Sequence, residues 1–357
     1  MKLGLGLYRW MLTRDNFRFA RQAGATHIVA HLTDYFASSD SLSTGSGSDV
    51  WGVTRNQGRY WTYDELQNLV HAVEAEGLKL EALENFDPAF WSDILLDGPQ
   101  RAEQMEGLKG LIRNMGRAGI PIMGYNFSLA GVWGRTDRLR TRGDAVAVGY
   151  VQEYIESEPP IPNGEVWNMV YDPDAPPGTV GEVDFATMWA RRQAFLDEIL
   201  PVAEDAGVRL AAHPDDPPLP VMRGTARLIT QHADYQRLID ANPSPANALE
   251  FCVGTLAEMT EGDIYACVEQ FSSQNRIGYV HLRNVVGKVP NYHEVFIDEG
   301  DTDMYTVLSI LHQNGFDGVL IPDHTPQMTC DAPWHAGMAY ALGWMRATLS
   351  AIERENS

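Results

Sequence analysis

Four side chains with metal-binding chemistry lie at the ends of four successive apolar runs along the chain. They are His213, Cys252, His281 and Asp323. Imidazole and carboxylate groups suit manganese, iron, cobalt and zinc, and a thiolate among them excludes magnesium and calcium. Any one of them alone has a plainer explanation, as a hydrogen-bonded histidine or a small buried cysteine. Together they predict one divalent transition-metal site.

The elements that must position these groups alternate between short apolar runs and longer amphipathic segments. The runs predict strands at residues 3–8, 27–31, 78–84, 120–126, 209–213, 248–252, 277–283 and 318–324. Amphipathic patterns between them predict helices, including one that stops at Gly315, a typical helix-ending residue. Strands that alternate with helices are typical of a parallel sheet with crossover helices. Eight such units predict an α/β fold, a single (β/α)8 TIM-barrel domain over residues 1–357.

The carboxyl-terminal ends of the strands carry further polar groups. In a TIM barrel the active site is built at this rim. Besides the four metal candidates, the strand ends carry Arg9, His31, Glu84, Asn126, Arg283 and His324. Loops that begin there explain some of this polarity, but not the accumulation of histidine, cysteine and aspartate. The rim therefore predicts an enzyme.

Two long segments interrupt the alternation of strands and helices. They span approximately residues 34–62 and 127–180, and each follows a strand at the rim. The first is rich in serine and glycine in its middle and aromatic at its end. We expect both to act as lids over the barrel mouth, the first being the more mobile, although a disordered insertion would show the same composition.

Charge and cysteine content exclude several classes of partner. The formal net charge is −21, from 27 Lys and Arg against 48 Asp and Glu, which argues against nucleic acid and anionic membranes. Arg9 and Arg14 break the first apolar run, so neither a signal peptide nor a membrane anchor is predicted. Three cysteines without framework spacing suit a reducing compartment. We expect a cytoplasmic protein with a small-molecule substrate; a homo-oligomer is compatible with the sequence, which is silent on this point.

Several motifs resemble the mannonate dehydratase family. They are AAHPDDPP at 211–218, FCVGT at 251–255, VHLRN at 280–284 and IPDH at 321–324. The resemblance extends from Arg9 to the last helix and implies a xylose-isomerase-like TIM barrel. It implies a hydro-lyase that converts D-mannonate into 2-keto-3-deoxy-D-gluconate and water during hexuronate breakdown. It also implies the same four metal ligands, with Mn²⁺ as the expected ion and Fe²⁺, Co²⁺, Ni²⁺ or Zn²⁺ as alternatives.

Dehydration of a sugar acid assigns roles to further residues. Loss of water from a 2,3-dihydroxy acid requires removal of the C2 proton and protonation of the departing C3 hydroxyl, next to a stabilising cation. His324 is the first candidate for proton transfer, followed by His335 and Tyr125. The candidates for binding the sugar acid are Arg9, Asn126, Arg283, Asn284 and Glu84. Asp215 and Asp216 are expected either to orient His213 or to cap the turn before Pro217.

Two positions depart from the family pattern. Ile297 stands where a histidine is expected, three residues after Glu294, and His335 stands where a tyrosine is expected. Both positions are expected close to the substrate. A polar partner lost there would change substrate choice, so we expect slow or no turnover of D-mannonate and a preference for a related aldonate.

Two other functions fit the same residues. A metal-dependent sugar isomerase or epimerase of the xylose-isomerase-like kind would also move a proton beside a metal-bound hydroxyl. A non-catalytic member of the family would bind a sugar acid without converting it. Product analysis separates these readings, because only a dehydratase forms a keto-deoxy acid.

Overall fold

The computed structural model describes residues 1–35, 54 and 59–355, and its centre is a closed barrel of parallel strands. The barrel strands are β1 (Lys2–Leu7), β2 (His27–Ala30), β3 (Lys79–Glu84), β4 (Ile122–Tyr125), β9 (Arg209–Ala212), β12 (Asn247–Cys252), β13 (Ile277–His281) and β16 (Val319–Ile321). Their order around the barrel is β1-β16-β13-β12-β9-β4-β3-β2. The other strand numbers belong to smaller sheets outside the barrel. The eight predicted strands and the TIM barrel are confirmed.

Helices surround the barrel and follow the predicted amphipathic segments. They are α1 (Arg14–Gln22), α2 (Tyr63–Glu74), α3 (Pro88–Leu96), α4 (Arg101–Ala118), α5 (Phe185–Ala206), α6 (His232–Ala241), α7 (Val253–Glu258), α8 (Ile264–Ser273), α9 (Met304–Gln313) and α10 (Pro333–Glu355). Helix α9 begins where Asp303 accepts a hydrogen bond from the Tyr305 amide. It ends before Gly315, whose φ of +71° reverses the chain as predicted. In the part of the chain that is described, every helix is too short or too polar to cross a membrane.

Away from the rim, the interior of the barrel is mainly apolar. One cluster of buried side chains fills it, and its members are Val29, Ala82, Ile122, Ala211, Ala248, Tyr279, Val319 and Ile321. A larger cluster lies between the strands and the surrounding helices. Such a barrel is a packed core rather than a channel, so polar chemistry is confined to the carboxyl-terminal end of the strands.

A second sheet, the rim sheet, lies next to the carboxyl-terminal end of the barrel. Its strands β5 (Thr136–Thr141), β6 (Ala145–Val151), β14 (Asn284–Lys288) and β15 (Asn291–Val295) are antiparallel, in the order β14-β15-β6-β5. Strand β14 starts three residues after β13 ends, so the rim sheet continues directly from the barrel. Two short hairpins complete the strands: β7 (Glu165–Val166) with β8 (Met169–Val170), and β10 (Val221–Met222) with β11 (Thr225–Ala226).

The two long insertions are only partly described. Insertion 127–180 contains β5 to β8, a β-structure that the sequence analysis did not predict. Most of insertion 34–62, including Trp51, lies outside the described residues. At its end, the rings of Tyr60 and Trp61 pack against Phe90 of α3, at centroid distances of 4.8 and 5.1 Å. These two aromatic residues therefore join the outer core instead of the barrel mouth.

Candidate metal centre and active site

A pocket of about 130 Å³ opens at the carboxyl-terminal ends of the barrel strands. Six of the predicted site residues line it: Glu84, Asn126, His213, His281, Asp323 and His324. Cys252 lies fully buried at the end of β12, directly beside His281 in the register of β12 with β13. The strand ends therefore bring together side chains that are far apart in sequence.

The predicted metal ligands are close enough to share one ion. His213, Cys252 and His281 each offer a donor atom, and these atoms lie within 4.8 Å of one another. Asp323 Oδ2 lies 3.5 Å from His281 Nδ1. Two ligands bound to one ion at about 2.1 Å each are separated by roughly 3 to 3.5 Å. The His281–Asp323 separation falls in this range, and the other donor atoms are near enough to share one ion after small side-chain movements.

Hydrogen bonds fix which nitrogen each histidine presents. His213 Nδ1 lies 2.6 Å from the carbonyl oxygen of Pro214, so Nδ1–H donates there and Nε2 is the nitrogen available to an ion. His281 Nε2 lies 3.2 Å from a Glu84 oxygen. Its Nδ1 is buried and has no hydrogen-bond partner among the described residues. A buried nitrogen without a partner, beside a carboxylate and a thiol, fits a transition-metal ion.

Cys252 is surrounded by groups that favour a thiolate. Its sulfur accepts hydrogen bonds from Thr255 Oγ1 at 3.2 Å and from Arg283 Nη2 at 3.5 Å. Burial alone would raise the pKa of the Cys252 thiol, but the Arg283 guanidinium and the histidines at 213 and 281 hold it well below its usual value. In turn, burial opposes a charged His213, while the Cys252 thiolate raises the pKa of His213 to about 9. A thiolate is the form of cysteine that binds metal.

Comparison with known proteins decides the family. The sequence model of the D-mannonate dehydratase (UxuA) family matches residues 7–354. The chain belongs to the mannonate dehydratase family. The mannonate dehydratase of Streptococcus pneumoniae is 30% identical over 75% of this chain and 75% of its own length. That of Thermotoga maritima is 31% identical over 75% of this chain and 78% of its own length.

Solved structures agree with this assignment. The crystal structure of mannonate dehydratase from Streptococcus suis has a TM-score of 0.80 at 25% identity, and covers 100% of this chain and 94% of the other. D-psicose 3-epimerase from Clostridium cellulolyticum has a TM-score of 0.58 at 11% identity, over 98% and 99% of the two chains, and shares the fold alone. The protein is a dehydratase of the mannonate dehydratase family, and therefore a hydro-lyase.

Arg283 was predicted to bind the sugar acid, but its side chain does not line the pocket. Its guanidinium is buried, and Nη1 lies 2.8 Å from Glu294 and 3.0 Å from Glu258. Nη2 donates to Asp216 at 2.8 Å, and Nε lies 3.4 Å from Asp323. Carboxylates of the protein occupy the donors that a substrate carboxylate would need.

Arg9 and Asn284 also fail as substrate-binding residues. Arg9 is exposed, and its Nη1 donates to the carbonyl oxygen of Leu32 at 3.2 Å. Asn284 is buried behind the rim, where its Nδ2 donates to the carbonyl oxygens of Ile297 and Thr302. Both side chains donate hydrogen bonds to backbone carbonyl oxygens of neighbouring loops. Their position at a strand end thus indicated the right region but not the right role.

Tyr125 and His335, the reserve candidates for proton transfer, both point away from the pocket. Tyr125 follows Gly124, which faces the barrel interior, so strand alternation turns the tyrosine outward against Phe195 of α5. His335 lies on α10, where its Nε2 is 2.9 Å from Asn16 Oδ1 and its ring contacts Phe19 of α1. Neither can exchange a proton with a substrate in the pocket.

The two departures from the family pattern also lie outside the pocket. The Ile297 side chain is buried in the outer core. On α10 the pocket is lined by Trp334 and Met338, four residues apart on one helical face. His335 is on a different face of the same helix. The expectation that Ile297 and His335 contact the substrate is therefore wrong.

Several pocket residues were missed as candidates, and two of them belong to a buried charge cluster. Arg135 Nη2 lies 2.5 Å from Glu294 Oε1 and 3.4 Å from Asp216. The same Glu294 oxygen lies 3.0 Å from His324 Nδ1. Burial opposes a charged His324, but Asp323 and Glu294 raise its pKa. The signal was present in the sequence, because Arg135 lies in the WGRT motif and Glu294 in the NYHEV strand, but neither is at a barrel strand end.

The two adjacent aspartates have separate roles. Asp215 accepts hydrogen bonds from the backbone amides of Leu228 and Ile229. Asp216 accepts from the Tyr292 hydroxyl at 2.7 Å and belongs to the charge cluster. Neither orients His213, whose Nδ1 is taken by a backbone carbonyl. The Pro214 carbonyl holds the His213 ring instead.

Proposed function

We propose that the protein dehydrates D-mannonate to 2-keto-3-deoxy-D-gluconate and that it uses Mn²⁺ held by His213, Cys252, His281 and Asp323. One observation carries this proposal: donor atoms of His213, Cys252 and His281 lie within 4.8 Å of one another, with Asp323 beside His281 and His324 on the same pocket wall. A mixed imidazole, thiolate and carboxylate set also accepts Fe²⁺, Co²⁺, Ni²⁺ or Zn²⁺.

The proton-transfer role of His324 rests on its hydrogen bonding. Its Nδ1–H donates to Glu294 Oε1 at 3.0 Å, and its Nε2 lies 3.5 Å from Asp323 Oδ1, so Nε2 is the nitrogen available for proton transfer beside the metal site. Glu294 is itself held by Arg135 and Arg283, so the imidazole ring has a rigid support. When bound, a divalent ion would supply positive charge that makes the C2 proton of a sugar acid removable. His324 and the bound ion would thus act on neighbouring atoms of the substrate.

The remaining pocket wall suits the hydroxyl and carboxylate groups of a sugar acid. Hydrogen-bonding side chains on it include Tyr8, His31, Asn85, Asn126 and Arg135. Arg135 Nε is a buried donor without a partner in the described part of the chain. Glu84 lines the same wall and binds His281, so we assign it to support of the metal site. Because Ile297 and His335 are not on this wall, the reason to exclude D-mannonate disappears.

We further infer that the enzyme works in the cytoplasm during hexuronate breakdown. Free cysteines are typical of compartments where thiols stay reduced, and Cys252, Cys267 and Cys330 are all free. Fractionation of the source cells would test the location. Recovery of the protein in an oxidising compartment would contradict it.

The proposed function is tested by product analysis. Chelator-stripped protein should be reloaded with Mn²⁺, Fe²⁺, Co²⁺, Ni²⁺ or Zn²⁺ and incubated with D-mannonate and a panel of other aldonates. We expect NMR to detect the keto-deoxy acid from D-mannonate, with Mn²⁺ among the most active ions. Turnover of another aldonate alone would contradict the substrate assignment. An epimerised sugar, or metal binding with no product from any acid, would contradict dehydration.

A further inference from the structure

Two buried glutamates contact the same ring nitrogen of His281. Glu84 Oε2 lies 3.2 Å from His281 Nε2, and Glu250 Oε1 lies 3.3 Å from it. Glu250 is only 1% exposed and lies two residues before Cys252 on β12, beneath the pocket wall. It cannot reach a substrate, so its contact with His281 requires another explanation.

The barrel interior is shaped around this pair of carboxylates. Tyr279 lies two residues before His281 on β13, and its hydroxyl donates a hydrogen bond to Glu84 Oε2 at a distance of 3.1 Å. Opposite them, Gly124 on β4 leaves the necessary space, because a Cβ there would collide with both Glu250 Oε2 and the Tyr279 hydroxyl. Burying two carboxylates is costly unless they are hydrogen-bonded, so the arrangement indicates a specific acceptor site for an N–H group.

We propose that Glu250, together with Glu84, is a positioning residue that accepts the Nε2–H of His281 and thereby presents Nδ1 to the metal. Glu84 accepts a hydrogen bond from Nε2–H, and Glu250 Oε1 lies 3.3 Å from the same nitrogen, so the proton is held there and Nδ1 is the nitrogen available to an ion. That Nδ1 lies 3.5 Å from Asp323 Oδ2 and is otherwise unpartnered in the described structure. The inference rests on the proposed function, because it presupposes the metal site.

An alternative use of the same groups must be separated from this one. Glu84, Glu250 and His281 also have donor atoms within 4.8 Å of one another and could themselves surround an ion. His281 would then bind through Nε2, and Nδ1 would stay buried without a partner beside Cys252 and Asp323. In the positioning role both ring nitrogens of His281 have a partner, so neither stays buried without one.

The test measures Mn²⁺ affinity of the full-length protein by competition with a chromogenic chelator. Glu250→Met keeps the side-chain volume but removes the acceptor, whereas Glu250→Gln keeps a carbonyl acceptor. Loss of an outer hydrogen bond to a metal ligand costs about 10- to 100-fold in affinity. We expect that loss for Glu250→Met and near wild-type affinity for Glu250→Gln. Co²⁺-loaded Glu250→Gln should keep its thiolate charge-transfer band.

A matched control lies on β3. Glu81 faces His27 at 3.7 Å, outside the pocket, so Glu81→Met removes a carboxylate from a histidine without touching the metal site. Wild-type affinity in Glu250→Met, or an equal loss in Glu81→Met, would overturn the positioning role. If Glu250→Met does not fold, the same affinity measured on Glu84→Met decides the question. Absence of Mn²⁺ binding in the wild-type protein would overturn the proposed function itself.

Discussion

Cys252 shows how neighbouring residues decide the chemistry of one side chain. Its sulfur receives hydrogen bonds from Thr255 and Arg283, whereas Cys267 on α8 lies in apolar surroundings that raise the pKa of its thiol. The sequence analysis identified Cys252 from its place at a strand end. It did not identify Arg283 as the partner of the thiolate, because Arg283 also lies just beyond a strand end and was assigned to the substrate.

The first prediction concerns this thiolate. Cys252→Ser should strongly lower metal content while the protein stays folded, because a serine hydroxyl remains protonated near neutral pH and is a poor ligand. Cys267→Ser is the matched control and should keep the metal. Elemental analysis together with circular dichroism checks both variants. Unfolding of Cys252→Ser would indicate instead that Cys252 is a core residue.

The second prediction concerns proton transfer. His324→Asn should lower kcat by roughly 10²-fold or more with normal metal content, the usual effect of losing a positioned acid or base. His335→Asn serves as its control and should keep wild-type kcat, because His335 contacts Asn16 and Phe19 on α1. Steady-state kinetics on D-mannonate measure both. A wild-type rate in His324→Asn would assign the proton transfer to another residue.

At the scale of elements, barrel strands could be predicted and the rim sheet could not. Buried parallel strands are continuous apolar runs, so patterns such as ALEFC are visible in the sequence. The rim sheet pairs β6 with β15, with His293 opposite Gly149, and such distant pairing leaves no local pattern. Strand ends likewise predicted where polar groups gather but not which way each points. The assignment of Tyr125 to proton transfer was wrong for this reason.

The third prediction concerns the attachment of the rim sheet to the barrel. Arg135 pairs with Glu294 on β15 and with Asp216 after β9, and all three are buried. Arg135→Met should destabilise the protein by about 3 kcal/mol, because buried carboxylates would lose a partner. Arg142→Met removes the exposed pair with Asp298 in the same region and should cost about 1 kcal/mol or less. Urea unfolding compares the two, and equal losses would contradict this account.

At the scale of the whole molecule, the proposed metal ligands occupy one arc of the barrel mouth. The four proposed ligands come from β9, β12, β13 and β16, which are consecutive around the barrel. Tyr8, His31 and Glu84 follow or end β1, β2 and β3 on the remaining arc, and Arg135 enters from the insertion. This division follows from the closed parallel sheet, which puts every strand end on one face.

We propose that these four consecutive strands hold one catalytic metal ion. Crystals grown with Mn²⁺ and measured at the manganese absorption edge test it most directly. We predict one anomalous peak in the pocket, bound by His213 Nε2, Cys252 Sγ, His281 Nδ1 and Asp323. A peak bound by Glu84, Glu250 and His281 Nε2, or a peak away from Cys252, would contradict the account.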